Sequence, residues 1–101
     1  MITHVVMFRW RPEMPEGQVE RIVAALSALP GSIDSIRSYA CGADVGAAGA
    51  ANFDFVAAAT FDDIDGWRAY DTHAEHDRVR AEVVRPWIAE RASVQFESPA
   101  R

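Results

Sequence analysis

Ile2-Thr3-His4-Val5-Val6-Met7-Phe8-Arg9-Trp10-Arg11 opens the chain as ten residues rich in Val, Phe and Trp, with no breaker before Pro12. That composition is a strand's. One face carries Ile2, His4, Val6, Phe8 and Trp10; the other carries Thr3, Val5, Met7, Arg9 and Arg11. The centre is apolar on both faces, so both sides of the sheet need cover. Asn52 to Phe61 repeats the pattern. Phe53, Phe55, Ala57, Ala59 and Phe61 share one face, and the opposite face has Val56 and Ala58 at its middle.

Between these two strands, Val19, Ile22, Val23, Leu26 and Leu29 form a helical stripe. Pro15 suits its first turn, Glu16 and Glu20 favour its positive end, and Pro30-Gly31 stops it. Ile36 to Asp44 reads as a strand diluted by Ser and Gly, and Val45 to Ala51 as a flexible loop. After Phe61, Asp62 or Asp63 caps a helix containing Ile64, Trp67 and Tyr70. Thr72-His73-Ala74-Glu75 matches a capping box, so a second helical segment is expected to begin at Thr72. Val79, Val83, Val84, Trp87 and Ile88 give it apolar positions, and Pro86 limits or kinks it. Ala92, Val94 and Phe96 alternate with Ser93, Gln95 and Glu97 as a last strand, and Ser98 to Arg101 read as a tail.

The order β-α-β-β-α-β is the ferredoxin-like arrangement of the α+β class, an antiparallel sheet with helices on one face. The 101 residues fit one domain at about 100–200 residues per domain. Such a domain has no further element for its second sheet face. A second copy packing sheet on sheet supplies one, so a homodimer is expected from unsatisfied apolar surface.

Charge narrows the partners. There are 10 basic residues, all Arg, against 15 acidic ones, a net charge of −5. With no basic cluster, nucleic acid and anionic membrane are not expected partners. Cys41 is the only cysteine and has no internal disulfide partner; a cytoplasmic location is expected. The N-terminus lacks a positively charged signal-like region, and no apolar run reaches 18 residues. Most Arg residues read as solvated surface, with Arg9 and Arg11 as candidate anchors for an acidic substrate at the rim.

Tyr70-Asp71-Thr72-His73-Ala74-Glu75-His76 carries two histidines three apart after a Tyr. This segment, the opening His4-Val5-Val6-Met7-Phe8-Arg9-Trp10, Ile36 to Gly42 and Phe61-Asp62-Asp63 together resemble the stress-responsive A/B barrel (Dabb) family. The family pattern is a Tyr, two spacers, then His-Pro-Ala-His; here Ala74-Glu75 replaces Pro-Ala. The resemblance implies a dimeric α+β barrel with a cavity in each protomer. It also implies a link to polyketide cyclases of the olivetolic acid cyclase type, which close linear polyketide thioesters by aldol chemistry without a cofactor.

By position, the resemblance assigns His76 as base and Tyr70 as donor, with His4 as the first-strand His. The family's third-strand His is Phe55 here, which leaves a more apolar pocket. Aldol closure needs a base for the proton beside a carbonyl and a donor for the developing oxyanion. The positive helix end beside His76 is expected to keep it neutral. Val6, Phe8, Phe53, Phe55 and His73 are the expected substrate-binding wall, around a small aromatic or polyketide-like ligand. No cofactor is expected. Metal binding is not expected either, because His73 and His76 lack the i, i+4 spacing of a helical zinc site. Two alternatives stay open. One is a non-enzymatic stress-associated dimer in which the histidines tie the helix junction. The other is a cofactor-independent oxygenase, by analogy with other barrels of this kind.

Overall fold

The computed structural model describes residues 1–99. Its strands are β1 (Ile2–Trp10), β2 (Ser38–Ala43), β3 (Phe55–Phe61) and β4 (Ile88–Glu97); its α-helices are α1 (Gln18–Ser27), α2 (Ile64–Asp71) and α3 (Ala74–Val79). The sheet order is β2-β3-β1-β4. Every neighbouring pair is antiparallel. This is the ferredoxin-like arrangement expected from the element order.

The register sorts the side chains by face. Ile2, His4, Val6 and Phe8 pair with Phe61, Ala59, Ala57 and Phe55 in turn. Together with Tyr39 and Cys41 of β2 they form the helix-covered face. Helix α1 lays Ile22 and Leu26 onto it, α2 adds Tyr70, and α3 adds His76 and Val79, all buried. On the opposite face Val5 sits between Ala58 and Val94, and Met7 between Val56 and Ala92. Val56, Val94 and Phe96 are exposed there. Among the described residues, no element of the chain lies over that face, in line with its apolar strand centres.

Several boundaries differ from expectation. Helix α1 begins at Gln18 rather than Pro15, because Gly17 stands before it at φ 84°. Pro15 instead closes a turn through its carbonyl and the Gln18 N–H, at 3.2 Å. The helix stops at Ser27, and a short 3-10 turn over Leu29–Gly31 takes up the Pro-Gly stop. Strand β2 starts two residues after Ile36. Strand β3 starts at Phe55, three residues after Asn52, although the Asp54 N–H already donates across to the Phe8 carbonyl of β1. The Val45 to Ala51 loop contains a 3-10 turn at Gly49–Ala51, held by Asp44 against Gly46 and Asn52.

The second helical region is corrected most. Thr72 is not the cap of α3; its hydroxyl donates back to the Arg68 carbonyl at 2.8 Å and closes α2. His73 caps α3, its Nδ1 accepting the Glu75 N–H at 3.0 Å. After α3 the chain passes through a π turn over Arg80–Val84 and a 3-10 turn over Arg85–Trp87 at Pro86. Strand β4 therefore begins at Ile88, four residues before the expected start. Ser98 bonds to Met1 and Thr3 at the strand's end, so the expected tail starts inside the sheet's hydrogen bonding. Residues 100 and 101 of that tail lie outside the described residues.

Candidate functional site

A cavity of about 240 Å³ opens between the sheet and the helices. His4, Val6 and Phe8 of β1, Ala57 of β3 and Tyr39 of β2 form its floor. Leu26 closes one side, and Tyr70, Asp71 and His76 line the junction of α2 and α3. Arg80, Arg85, Ile88 and Arg91 complete the wall. The volume lies just below the range of roughly 300–1,000 Å³ usual for small-molecule pockets. It exceeds the roughly 150 Å³ that holds a benzene in an engineered core cavity. A single ring therefore fits.

The helix break decides the chemistry. Because α2 stops at Asp71 and α3 restarts at Ala74, the chain folds the His76 ring back over Tyr70. The two rings stack at 4.0 Å between centroids, tilted by 25°. Both residues are under 10% exposed, Tyr70 at 5% and His76 at 8%. His76 Nδ1 lies 3.3 Å from the Asp71 carbonyl oxygen. A carbonyl only accepts, so Nδ1 carries the proton and Nε2 keeps a free lone pair. Burial first, and the Arg80 guanidinium second, hold the His76 imidazole below its ordinary range. Its neutrality thus comes from desolvation more than from the helix end invoked from the sequence.

Burial raises the Tyr70 phenol above its usual range, opposed by Tyr39 and Arg80. Burial likewise raises Tyr39, with Tyr70 adding to it. Both hydroxyls stay protonated near neutral pH and can donate. His4 is lowered by burial and by Arg91. Its ring leans on Trp67 at 5.8 Å, and its Nδ1 is buried without a hydrogen-bond partner, as is Trp67 Nε1. Buried polar atoms are rarely left unpaired.

Arg80 fixes the junction. It bonds to the Asp71 carbonyl at 2.7 Å, to the Asp71 carboxylate at 3.1 Å, and to Asp77. The same carbonyl thereby holds both His76 and Arg80.

His76, Tyr70, His4, Val6 and Phe8 come together here as the sequence places them. Phe55, Phe53 and His73 do not line the cavity. Phe55 is packed under Phe8 and Trp10 at the far end of the sheet. Phe53 precedes β3 and lies beneath the Arg9 guanidinium, 4.3 Å from its ring centroid. The His73 ring is turned to its own helix as the cap. Arg9 and Arg11 are also elsewhere, donating to the carbonyls of Asn52 and Ile88. Sequence reasoning missed Tyr39, Leu26, Asp71, Ile88 and the three cavity arginines. Tyr39 carried a signal as an aromatic in alternation with Cys41 on the diluted strand, and Leu26 carried one as part of the apolar helical stripe.

The family described as the stress responsive A/B barrel domain (Dabb) matches residues 2–98. Among solved structures, a dimeric ferredoxin-like protein of unknown function from Thermobifida fusca YX is 42% identical. That match covers 94% of this chain and 88% of the other, with a TM-score of 0.85. A hydroxynitrile lyase from Passiflora edulis is 17% identical over 94% of this chain and 90% of its own, with a TM-score of 0.81. A Dabb family protein with a ferredoxin-like fold from Mesorhizobium loti is 13% identical over 98% and 97%, with a TM-score of 0.79. The last two likenesses are of fold. No curated protein matches this chain.

Proposed function

The chain belongs to the stress responsive A/B barrel domain family, and on that premise we propose that it is a homodimeric, cofactor-free enzyme acting beside a carbonyl of a small aromatic or polyketide-like molecule. The observation that carries this reading is the stacked Tyr70–His76 pair in the wall of a cavity that holds one ring. Neutral His76 presents Nε2 as the base and takes a proton from the carbon next to the substrate carbonyl. The electron pair moves onto the carbonyl oxygen, and the Tyr70 hydroxyl donates to the oxyanion. The enolate carbon then attacks a second carbonyl, forming the carbon–carbon bond, and the imidazolium returns its proton to the new alkoxide. His4 positions the substrate from the floor. That a hydroxynitrile lyase has the same fold supports carbon–carbon chemistry as compatible with this scaffold.

The homodimer is supported by the open apolar sheet face and by the dimeric description of the Thermobifida fusca protein. A purely structural role for the histidines is the competing reading, favoured by the His73 cap and the His76–Asp71 bond.

Deuterium exchange at the benzylic carbon of phenylacetone, followed by NMR in D2O, tests the catalytic step. The wild-type protein is expected to speed exchange, His76→Ala to lose roughly 10²–10⁴-fold, and Tyr70→Phe roughly 10²–10³-fold. Exchange at the background rate across a panel of neutral and anionic aryl ketones refutes the reading. Loss of the dimer in His76→Ala, with no exchange in the wild type, favours the structural one.

A further inference from the structure

The charge of the cavity runs against the charge of the chain. Among its lining residues, three guanidiniums face one carboxylate, although the chain as a whole has net charge −5. That carboxylate, Asp71, is already engaged by Arg80. Arg85 makes no ion pair or side-chain hydrogen bond among the described residues. Among the described residues, Arg91 has only the Ser93 hydroxyl, at 3.2 Å. Both are exposed while Tyr70 and His76 are buried, so the free guanidiniums stand at the open end of the cavity and the reactive pair at its closed end.

The backbone explains why Arg91 points there. It pairs with Phe8 across β1 and β4, which puts it on the cavity face of an edge strand that the helices leave uncovered. Its charge is felt inside, adding to the burial that lowers His4 and weakly opposing the burial that raises Tyr70.

We propose that the cavity recognises a small carboxylate-bearing ring compound, its anion held by Arg85 and Arg91 at the mouth and its ring seated against Val6, Phe8 and Leu26. Guanidinium is suited to this, because its planar fork matches a carboxylate with two parallel hydrogen bonds. The anion meets two free guanidiniums at the solvent-facing mouth, and the one carboxylate on the cavity lining is already paired with Arg80. Anchoring it at the mouth fixes the direction in which the ring and the reacting carbon extend toward His76. The inference rests on the cavity being the substrate site and adds the substrate's charge.

Binding measurements by NMR titration of the intact protein separate this from the catalytic reading. The ligands are benzoate, phenylacetate and 3-phenylpropionate, each beside its neutral amide. At least one acid is expected to bind ten or more times as tightly as its amide. Arg85→Gln/Arg91→Gln is expected to remove that preference, with an unchanged melting temperature showing that the fold survives. His76→Asn is expected to keep the preference while losing exchange on phenylacetone. Equal binding of acid and amide, no saturable binding of any acid, or a preference that survives the double substitution overturns the proposal. Benzylphosphonate binding more tightly than every acid reassigns the anion to a phosphoryl group and overturns it as well. Retained preference without exchange in the wild type sinks the catalytic reading alone.

Discussion

Phe96→Thr is expected to weaken the proposed dimer by roughly a thousandfold. Phe96 lies on the open sheet face, across from Thr3 on β1, and 51% of it is exposed. Half of a phenylalanine's roughly 200 Å² leaves about 100 Å² of apolar surface for a partner to cover. At about 25 cal/mol per Å², that burial contributes about 2.5 kcal/mol from each protomer. Threonine keeps the strand propensity and a methyl group, so the loss is about 2 kcal/mol per copy. A twofold interface uses the same patch twice. The pair then loses about 4 kcal/mol, close to three powers of ten in Kd. Analytical ultracentrifugation over a concentration series reads the Kd, and circular dichroism checks that the diluted variant is folded. A folded variant whose dimer Kd moves less than fivefold refutes the idea that a second copy covers this face. So does a wild-type protein that is monomeric at every concentration.

Three further outcomes follow from the folded chain. His4 and His76 both have imidazoles held below their ordinary value of 6.5. The unfolded state then binds more protons as pH falls below 6.5, so stability is full above that value and declines as pH drops toward the folded values. Urea midpoints are expected to fall between pH 7.5 and 5, and His76→Phe to flatten that decline; equal midpoints in the wild type defeat the assignment. The carboxylates lowered by arginine partners, Asp62, Glu75 and Asp77, lose their contribution only in a more acidic window. Asp63→Ala removes the cap bond from the Gly66 N–H to Asp63 Oδ1, at 2.8 Å, and is expected to cost about 1 kcal/mol in denaturant titration. No loss there would mean water replaces the cap fully. Leu26→Ala opens the cavity wall from a side chain 5% exposed and is expected to cost about 2–5 kcal/mol. A loss under about 1 kcal/mol would show that neighbouring side chains collapse into the space.

The centre of the sheet was legible because β1 and β3 are rich in Val, Phe and Ala and carry apolar residues on both faces at their middles, the mark of strands inside a sheet. The residues of their two faces could be separated by period two, and the need to cover a second face could be inferred, whereas which set the helices cover follows from the fold. Strand β4 was legible only from Ala92, because on an edge strand the cavity-facing positions Arg91, Ser93 and Gln95 are polar and Ile88 to Arg91 continue the preceding helical pattern. Thr72 misled for a different reason. A Thr three residues before a Glu satisfies the capping-box spelling, yet the same hydroxyl can close the helix before it, and the choice depends on His73 offering its own ring nitrogen. His76, Tyr70 and His4 were found as a group through a local motif and a strand face. The cavity arginines belong to three separate elements, and their sequence neighbours are ordinary surface residues. Nothing local distinguishes an Arg that faces solvent from one that faces a cavity.

The π turn between α3 and β4 is what turns those arginines into a group. In an α-helix, at about 100° per residue, positions five apart point about 140° away from each other. Had the helix continued regularly, Arg80 at the cavity would have sent Arg85 toward the far side. Over Arg80–Val84 the backbone instead closes on the fifth residue, with the Arg85 N–H donating to the Arg80 carbonyl. That repeat brings positions five apart back toward one face, and both guanidiniums reach the same cavity wall. Wider turns of this kind are rare in helices and concentrate at functional sites. Pro86 then prevents a return to helix, because it has no N–H to donate, and the chain is handed directly to β4. Three residues into β4, Arg91 joins from the sheet side. An irregularity in the helix, a proline and an edge-strand register thus converge on one result, a positive mouth above a buried His–Tyr pair.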